Sequence, residues 1–204
     1  MFTSLKKKWN LKNLKDERFR FLFDAPSVDE MVVFDCETTG LNPKMDDIVS
    51  IAAVKIKGNK ILTDEAIHIY IDQEKEIDHK SITIHQIRNC DLHGAIPLKE
   101  AMEKFLYYIG NRPLAGYYLE FDVAMVNKYL KPMYGITLPN EQKEVSAIYY
   151  DKKIPTIPQG HIDLRFDTIL EDLDLPKLHA HDALNDAIMT ALIYLKLKNT
   201  TRLK

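Results

Sequence analysis

Met31-Val32-Val33-Phe34-Asp35-Cys36-Glu37-Thr38-Thr39-Gly40-Leu41 is the stretch on which the fold turns. Four apolar, β-prone residues predict a short buried strand, and two carboxylates follow it directly. Successive side chains of a strand point to opposite faces, so Asp35 and Glu37 share one face while Cys36 points away. Two adjacent ionised carboxylates repel, and keeping both charged calls for a cation or a shared proton. Hard oxygen ligands of this kind favour Mg²⁺ or Mn²⁺ over zinc. A D-x-E alone also marks solvated strand edges; the apolar run ahead of it and the Thr-Thr-Gly-Leu behind it set this one apart.

Downstream, Ile48–Lys57 and Ile61–Ile71 read as two more strands, the second alternating Ile67, Ile69 and Ile71 with His68, Tyr70 and Asp72. Gly58-Asn59 between them predicts an antiparallel hairpin. Pro97–Ile109 carries a helical period with Pro97 suited to its first turn. A short strand over Pro113–Tyr118 and a helix over Glu120–Met133 come next. Residues 135–160 hold Gly135, Pro139, Pro155, Pro158 and Gly160, so a looped region is expected, with one strand near 145–150. Helices near Ile162–Leu173 and Asp182–Leu197 close the chain. The order β-β-β-α-β-α-β-α-α predicts an α/β fold, a mixed sheet flanked by helices.

Upstream the composition changes. Met1–Phe23 contains seven basic and two acidic residues, a surplus of +5 in a chain of 204 residues whose formal charge is −2. Residues 1–30 are therefore read as a basic helical arm, ending near Asp24-Ala25-Pro26, where proline disfavours continuation. The near-neutral total excludes a uniformly basic coat for nucleic acid, and the 46% apolar content excludes disorder as the dominant state. Cys36 and Cys90 have no spacing suited to zinc and are expected to be reduced thiols. No run approaches the roughly 20 apolar residues of a membrane span, and the basic N-terminus lacks the apolar core of a signal peptide. A cytoplasmic protein is the expectation.

Two further stretches carry chemistry. Tyr117-Tyr118-Leu119-Glu120-Phe121-Asp122 stands where a strand meets a helix, placing Asp122 in the first turn, where the helix dipole favours negative charge. His181-Asp182-Ala183-Leu184-Asn185-Asp186-Ala187 opens the last helix. Five residues turn a helix by roughly 500°, so His181 and Asp186 cannot share a face if both are helical. His181 is placed in the preceding loop, Asp182 at the N-cap and Asp186 in the helix.

Together D-x-E-T-T-G-L, the F-D at a strand–helix junction and H-D-A-L-N-D-A resemble the three motifs of the DEDDh 3′–5′ exonucleases. That family includes the proofreading (epsilon) subunit of bacterial DNA polymerase III, ribonuclease T and oligoribonuclease. The resemblance spans about residues 31–197, so 31–204 is taken as the exonuclease domain. It implies a ribonuclease H-like five-stranded sheet, three strands antiparallel and two parallel. It also implies that Asp35, Glu37, Asp122 and Asp186 hold two Mg²⁺ or Mn²⁺ ions, about 3.5–4 Å apart. His181 would be the general base; His179, two residues earlier, is the competitor that the motif's register disfavours. Thr38, Thr39, Gly40, Leu41, His85, Tyr118 and Phe121 would contact substrate, Leu41 as an apolar wedge against the terminal base. One departure stands out: where many relatives have a His-Asn pair, this chain has Tyr117-Tyr118.

The implied reaction releases nucleoside 5′-monophosphates from the 3′ end of single-stranded DNA. The same chemistry on RNA is the alternative, since sugar discrimination rests on a few contacts to the 2′ position. An alternative of another class is a non-catalytic nucleic-acid-binding or clamp-binding subunit of a replicase. Phe19-Arg20-Phe21-Leu22-Phe23 faintly resembles a clamp-binding peptide but lacks its glutamine, so these aromatics are expected to staple the arm to the domain. The seven mostly polar residues after Leu197 are too few for a standard interface of about 800 Å² per partner, so docking on a polymerase through the C-terminus is not expected.

Overall fold

A strand whose two faces are both buried belongs in the middle of a sheet, and β1 (Glu30–Thr38) is such a strand: of its nine residues only Glu30, Asp35 and Thr38 are not buried. The computed structural model describes residues 2–26, 29–72, 94–156, 161–179, 182–201 and 203. β2 (Ile48–Lys57) pairs antiparallel with β1, with Asp35 opposite Ala52 and Glu37 opposite Ser50; the register slips between Glu37 and Thr38. β3 (Lys60–Tyr70) continues the meander around Gly58, whose φ of 60° suits a residue without Cβ. β4 (Leu114–Gly116) and β5 (Gln142–Glu144) add on the other side in parallel, giving the order β3-β2-β1-β4-β5. This is the expected mixed sheet, three antiparallel strands and two parallel ones.

The alternation of β1 sorts its residues between two cores. Val32, Phe34 and Cys36 enter a large cluster with α2 (Leu98–Ile109) and α3 (Leu119–Tyr134). Met31 and Val33 face the other way, against Ala187 and Ala191 of α6 (Ala183–Asn199). Asp35 and Glu37 continue that second face toward the end of the strand, where the apolar cover stops. A third cluster joins α4 (Val145–Lys153), α5 (Phe166–Asp172) and α6.

The arm is two pieces, α1 (Phe2–Asn13) and a 3₁₀ helix over Glu17–Phe23. Phe19, Leu22 and Phe23 are buried in the same cluster as α2 and α3, and Phe19 meets Tyr134 edge-on at 4.7 Å. One expectation is corrected. Residues 145–150 form a helix, and the strand is the short segment before them. The reason is local: Glu144 Oε1 accepts the Ser146 N–H at 3.0 Å as an N-cap, and Val145, Tyr149 and Lys153 recur every four residues on the buried side. Among the described residues no helix is long and apolar enough to cross a membrane.

Candidate active site

At the end of β1 the carboxylates of Asp35 and Glu37 meet Asp186 of α6, with one oxygen from each lying within 4.8 Å of the others. Asp182 is the N-cap of α6, its side chain accepting the Asn185 N–H at 2.9 Å, which fixes where the helix starts and hence where Asp186 projects. Asp122 stands in the first turn of α3, 4% exposed. Its Oδ1 accepts the Cys36 backbone N–H at 3.1 Å, tying α3 to the segment of β1 between the two strand carboxylates. Asp122 is not one of the three whose oxygens fall within 4.8 Å.

Burial and mutual repulsion both penalise ionisation here. Asp35 is held well above the usual carboxylate range, by burial first and then by the charges of Asp122, Asp186 and Glu37. Burial, followed by Asp186 and Asp182, pushes Glu37 up to about 7. Asp122 is raised chiefly by burial, against the opposing hydrogen bond from Cys36. Burial likewise lifts the Cys36 thiol, which fits its place in the core. Clustered carboxylates reluctant to ionise without a counter-charge form a donor set suited to a hard divalent cation.

The loop after β1 is closely tied. Thr38 Oγ1 donates to the Gly40 carbonyl at 2.8 Å, Thr39 exchanges two bonds with Asp47, and Asp46 Oδ2 accepts the Asn42 N–H at 2.8 Å. A Cβ on Gly40 would lie 2.5 Å from Asp46 Oδ2, so any larger residue there displaces the carboxylate that accepts the Asn42 N–H. Lys128 and Tyr129 of α3 both reach Asp47 Oδ1, at 2.6 and 2.8 Å. The result displays Leu41 (85% exposed) and Met45 (75% exposed) on the loop that follows the two strand acids.

Tyr117 and Tyr118 play different parts. Tyr117 donates to the Leu164 carbonyl at 2.9 Å and packs on Phe166. Tyr118 is 60% exposed, sits at the N-cap of α3 with φ 55°, and stacks on Phe121 at 6.3 Å. Its side chain makes no capping bond; Glu144 Oε2, from the neighbouring strand, accepts the Leu119 N–H at 2.8 Å instead. That role of Glu144 has no sequence signal, because its partner is 25 residues away. His85 and His181 lie outside the described residues.

Comparison with known proteins agrees with this arrangement. A family model described as Exonuclease (RNase_T) matches residues 32–194. The PolC-type DNA polymerase III of Thermotoga maritima is 29% identical over 165 residues, which are 81% of this chain and 12% of that protein. The DNA polymerase III epsilon subunit of Aquifex aeolicus is 27% identical over 167 residues, 81% of this chain and 79% of that one. The chain thus spans about an eighth of the PolC-type relative. Among solved structures, E. coli exonuclease I in complex with a dT13 oligonucleotide superposes with a TM-score of 0.69 at 16% identity, covering 84% of this chain and 41% of that one. Exonuclease X in complex with 5′ overhanging duplex DNA gives 0.64 at 20% identity, covering 84% and 92%. With a family match over nearly the whole sheet and all four motif acids inside it, the chain belongs to the exonuclease family.

Proposed function

We propose that this exonuclease-family enzyme removes nucleoside 5′-monophosphates one at a time from the 3′ end of single-stranded DNA. The observation that supports the reading is the convergence of Asp35, Glu37 and Asp186 within 4.8 Å, with Asp122 anchored beside them. These four acids would hold divalent cations, which supply charge neutralisation at the scissile phosphate and lower the pKa of the attacking water. His181 accepts the proton of that water, a task suited to an imidazole titrating near neutral pH. Leu41, held out by the tied loop, lies against the terminal base. Thr38, Thr39 and Gly40 shape that loop, Tyr118 and Phe121 border the terminal nucleotide, and His85 is assigned a substrate contact from the family resemblance alone. DNA is preferred as substrate because exonuclease I and exonuclease X, which share the fold, were captured on DNA; matched DNA and RNA oligomers test that choice.

The decisive experiment is metal-dependent digestion of a 3′-labelled oligomer. Chelator should abolish release of mononucleotide, and Mg²⁺ or Mn²⁺ should restore it. Asp35→Ala should lose essentially all turnover; retention of more than about a tenth would overturn the metal assignment.

A further inference from the structure

Helix α1 presents two opposite stripes. Asn10 and Leu11 turn inward, as does Leu14 just beyond the helix; Asn10 is fully buried and its amide donates to the Thr137 carbonyl and Oγ1, both at 3.1 Å. Leu5, Lys8, Trp9 and Lys12, spaced i, i+3, i+4, i+7, form the outward stripe and are all exposed, Leu5 at 61% and Trp9 at 59%. Packing alone would rank these residues the other way, since a tryptophan gains from burial and an asparagine costs free energy there. The helix carries four lysines and no acid, within a chain of net charge −2. Among the described residues Lys7, Lys8 and Lys12 make no ion pair, whereas Arg18 and Arg20 are engaged by Asp16, Glu103 and Glu17.

We propose that this outward face is a second nucleic-acid contact, a tether for single strands remote from the acid cluster. An exposed aromatic between uncompensated lysines offers what an unstacked strand binds, a ring for a base and cations for phosphates. The rest of the chain, net negative, repels the same ligand. The location follows from α3: Asp122 lies in its first turn, while the arm meets its far end, Lys15 N–H donating to the Tyr134 carbonyl at 3.0 Å. Twelve residues of helix separate the two by about 18 Å. The tether therefore acts on strands long enough to run from the acids past this end of α3, and a trinucleotide is too short to reach it. It keeps a long substrate near the enzyme between cleavage events by raising the local concentration of ends. The proposal rests on the nucleic-acid substrate of the preceding section.

Trp9 is the chain's single tryptophan, so its emission reads this helix directly. In chelator, an oligothymidylate of about thirty nucleotides should quench that emission. Lys8→Gln/Lys12→Gln should lower the log–log salt slope of binding by about 1.4, at roughly 0.7 per phosphate contact, and Trp9→Ala should weaken binding about five-fold or more. With Mg²⁺, the same variants should digest a trinucleotide at the wild-type rate. Absent quenching and an unchanged slope, in a protein that still digests the trinucleotide, would overturn the tether and leave the exonuclease reading intact. Emission that responds to phosphatidylserine–phosphatidylcholine vesicles and not to the oligomer would overturn it in favour of a membrane surface. Quenching by the oligomer in a wild-type protein that never cleaves would support the tether and sink the exonuclease reading instead.

Discussion

Tyr118 is held in left-handed backbone, φ 55°, with its ring in solvent. For a residue with a Cβ that conformation costs roughly 1–2 kcal/mol, and no capping bond from its own side chain offsets it. Of the two tyrosines the family resemblance names Tyr118 alone as a substrate contact, and the three-dimensional contacts separate the packed ring of Tyr117 from the displayed one of Tyr118. Tyr118→Asn replaces the ring by a residue that tolerates left-handed backbone well. It should raise the melting temperature while raising KM several-fold, whereas Tyr118→Phe should leave both near wild type. Thermal melts and initial rates decide the matter, and an unchanged KM in Tyr118→Asn would remove the ring from substrate contact. The base assignment rests on register alone. His181→Ala should lose on the order of 10²–10⁴ in single-turnover rate, and His179→Ala far less; the reverse ranking would mean that the motif had been placed two residues out of register.

Elements whose determinants lie within a few residues were legible beforehand. The β2–β3 hairpin follows from its alternation and Gly58-Asn59, and the start of α6 follows from Asp182, whose capping bond spans only three residues. The shared face of Asp35 and Glu37 followed from strand pleating alone. What escaped the sequence depends on distant partners. Turn-formers from Gly135 to Gly160 masked the four-residue period of α4, and the Lys128 and Tyr129 bonds to Asp47 join residues 81 and 82 apart. The seat of the arm is another such feature. Gly135 caps α3 at φ 73°, and a Cβ there would lie 2.1 Å from the Asn13 carbonyl oxygen. Gly135→Ala therefore combines left-handed strain with a backbone clash that can be relieved only by moving the arm. It should cost at least about 1–2 kcal/mol and open the segment between α1 and the 3₁₀ helix to protease. A denaturant midpoint equal to wild type would show that the arm is not seated on this turn.

For the molecule as a whole, the acid cluster works against the fold that carries it. Asp35, Glu37 and Asp122 all have raised pKa values when folded, so the folded state binds more protons than the unfolded one. Stability from such groups is fully present below the ordinary carboxylate pKa and is lost as pH rises through the folded one. For Glu37, only 9% exposed, that window runs from the usual 4.5 up to about 7, a loss on the order of 3 kcal/mol. His68, lowered by burial, acts in the opposite direction below its ordinary 6.5. The ion-paired Asp16, Glu30 and Asp163 are lowered, so their contributions vanish only under more acidic conditions. Metal-free protein should therefore melt at a lower temperature at pH 7.5 than at pH 5, with the wild-type curve falling more steeply than that of Glu37→Gln. Because a bound cation favours the ionised carboxylates, the stabilisation by Mg²⁺ or Mn²⁺ should grow over the same window. Thermal unfolding in chelator and in metal, for both proteins across this range, measures each term. A metal-induced shift that is the same at pH 5 and pH 7.5, or parallel curves for wild type and Glu37→Gln, would mean that these carboxylates are not the groups that a cation neutralises.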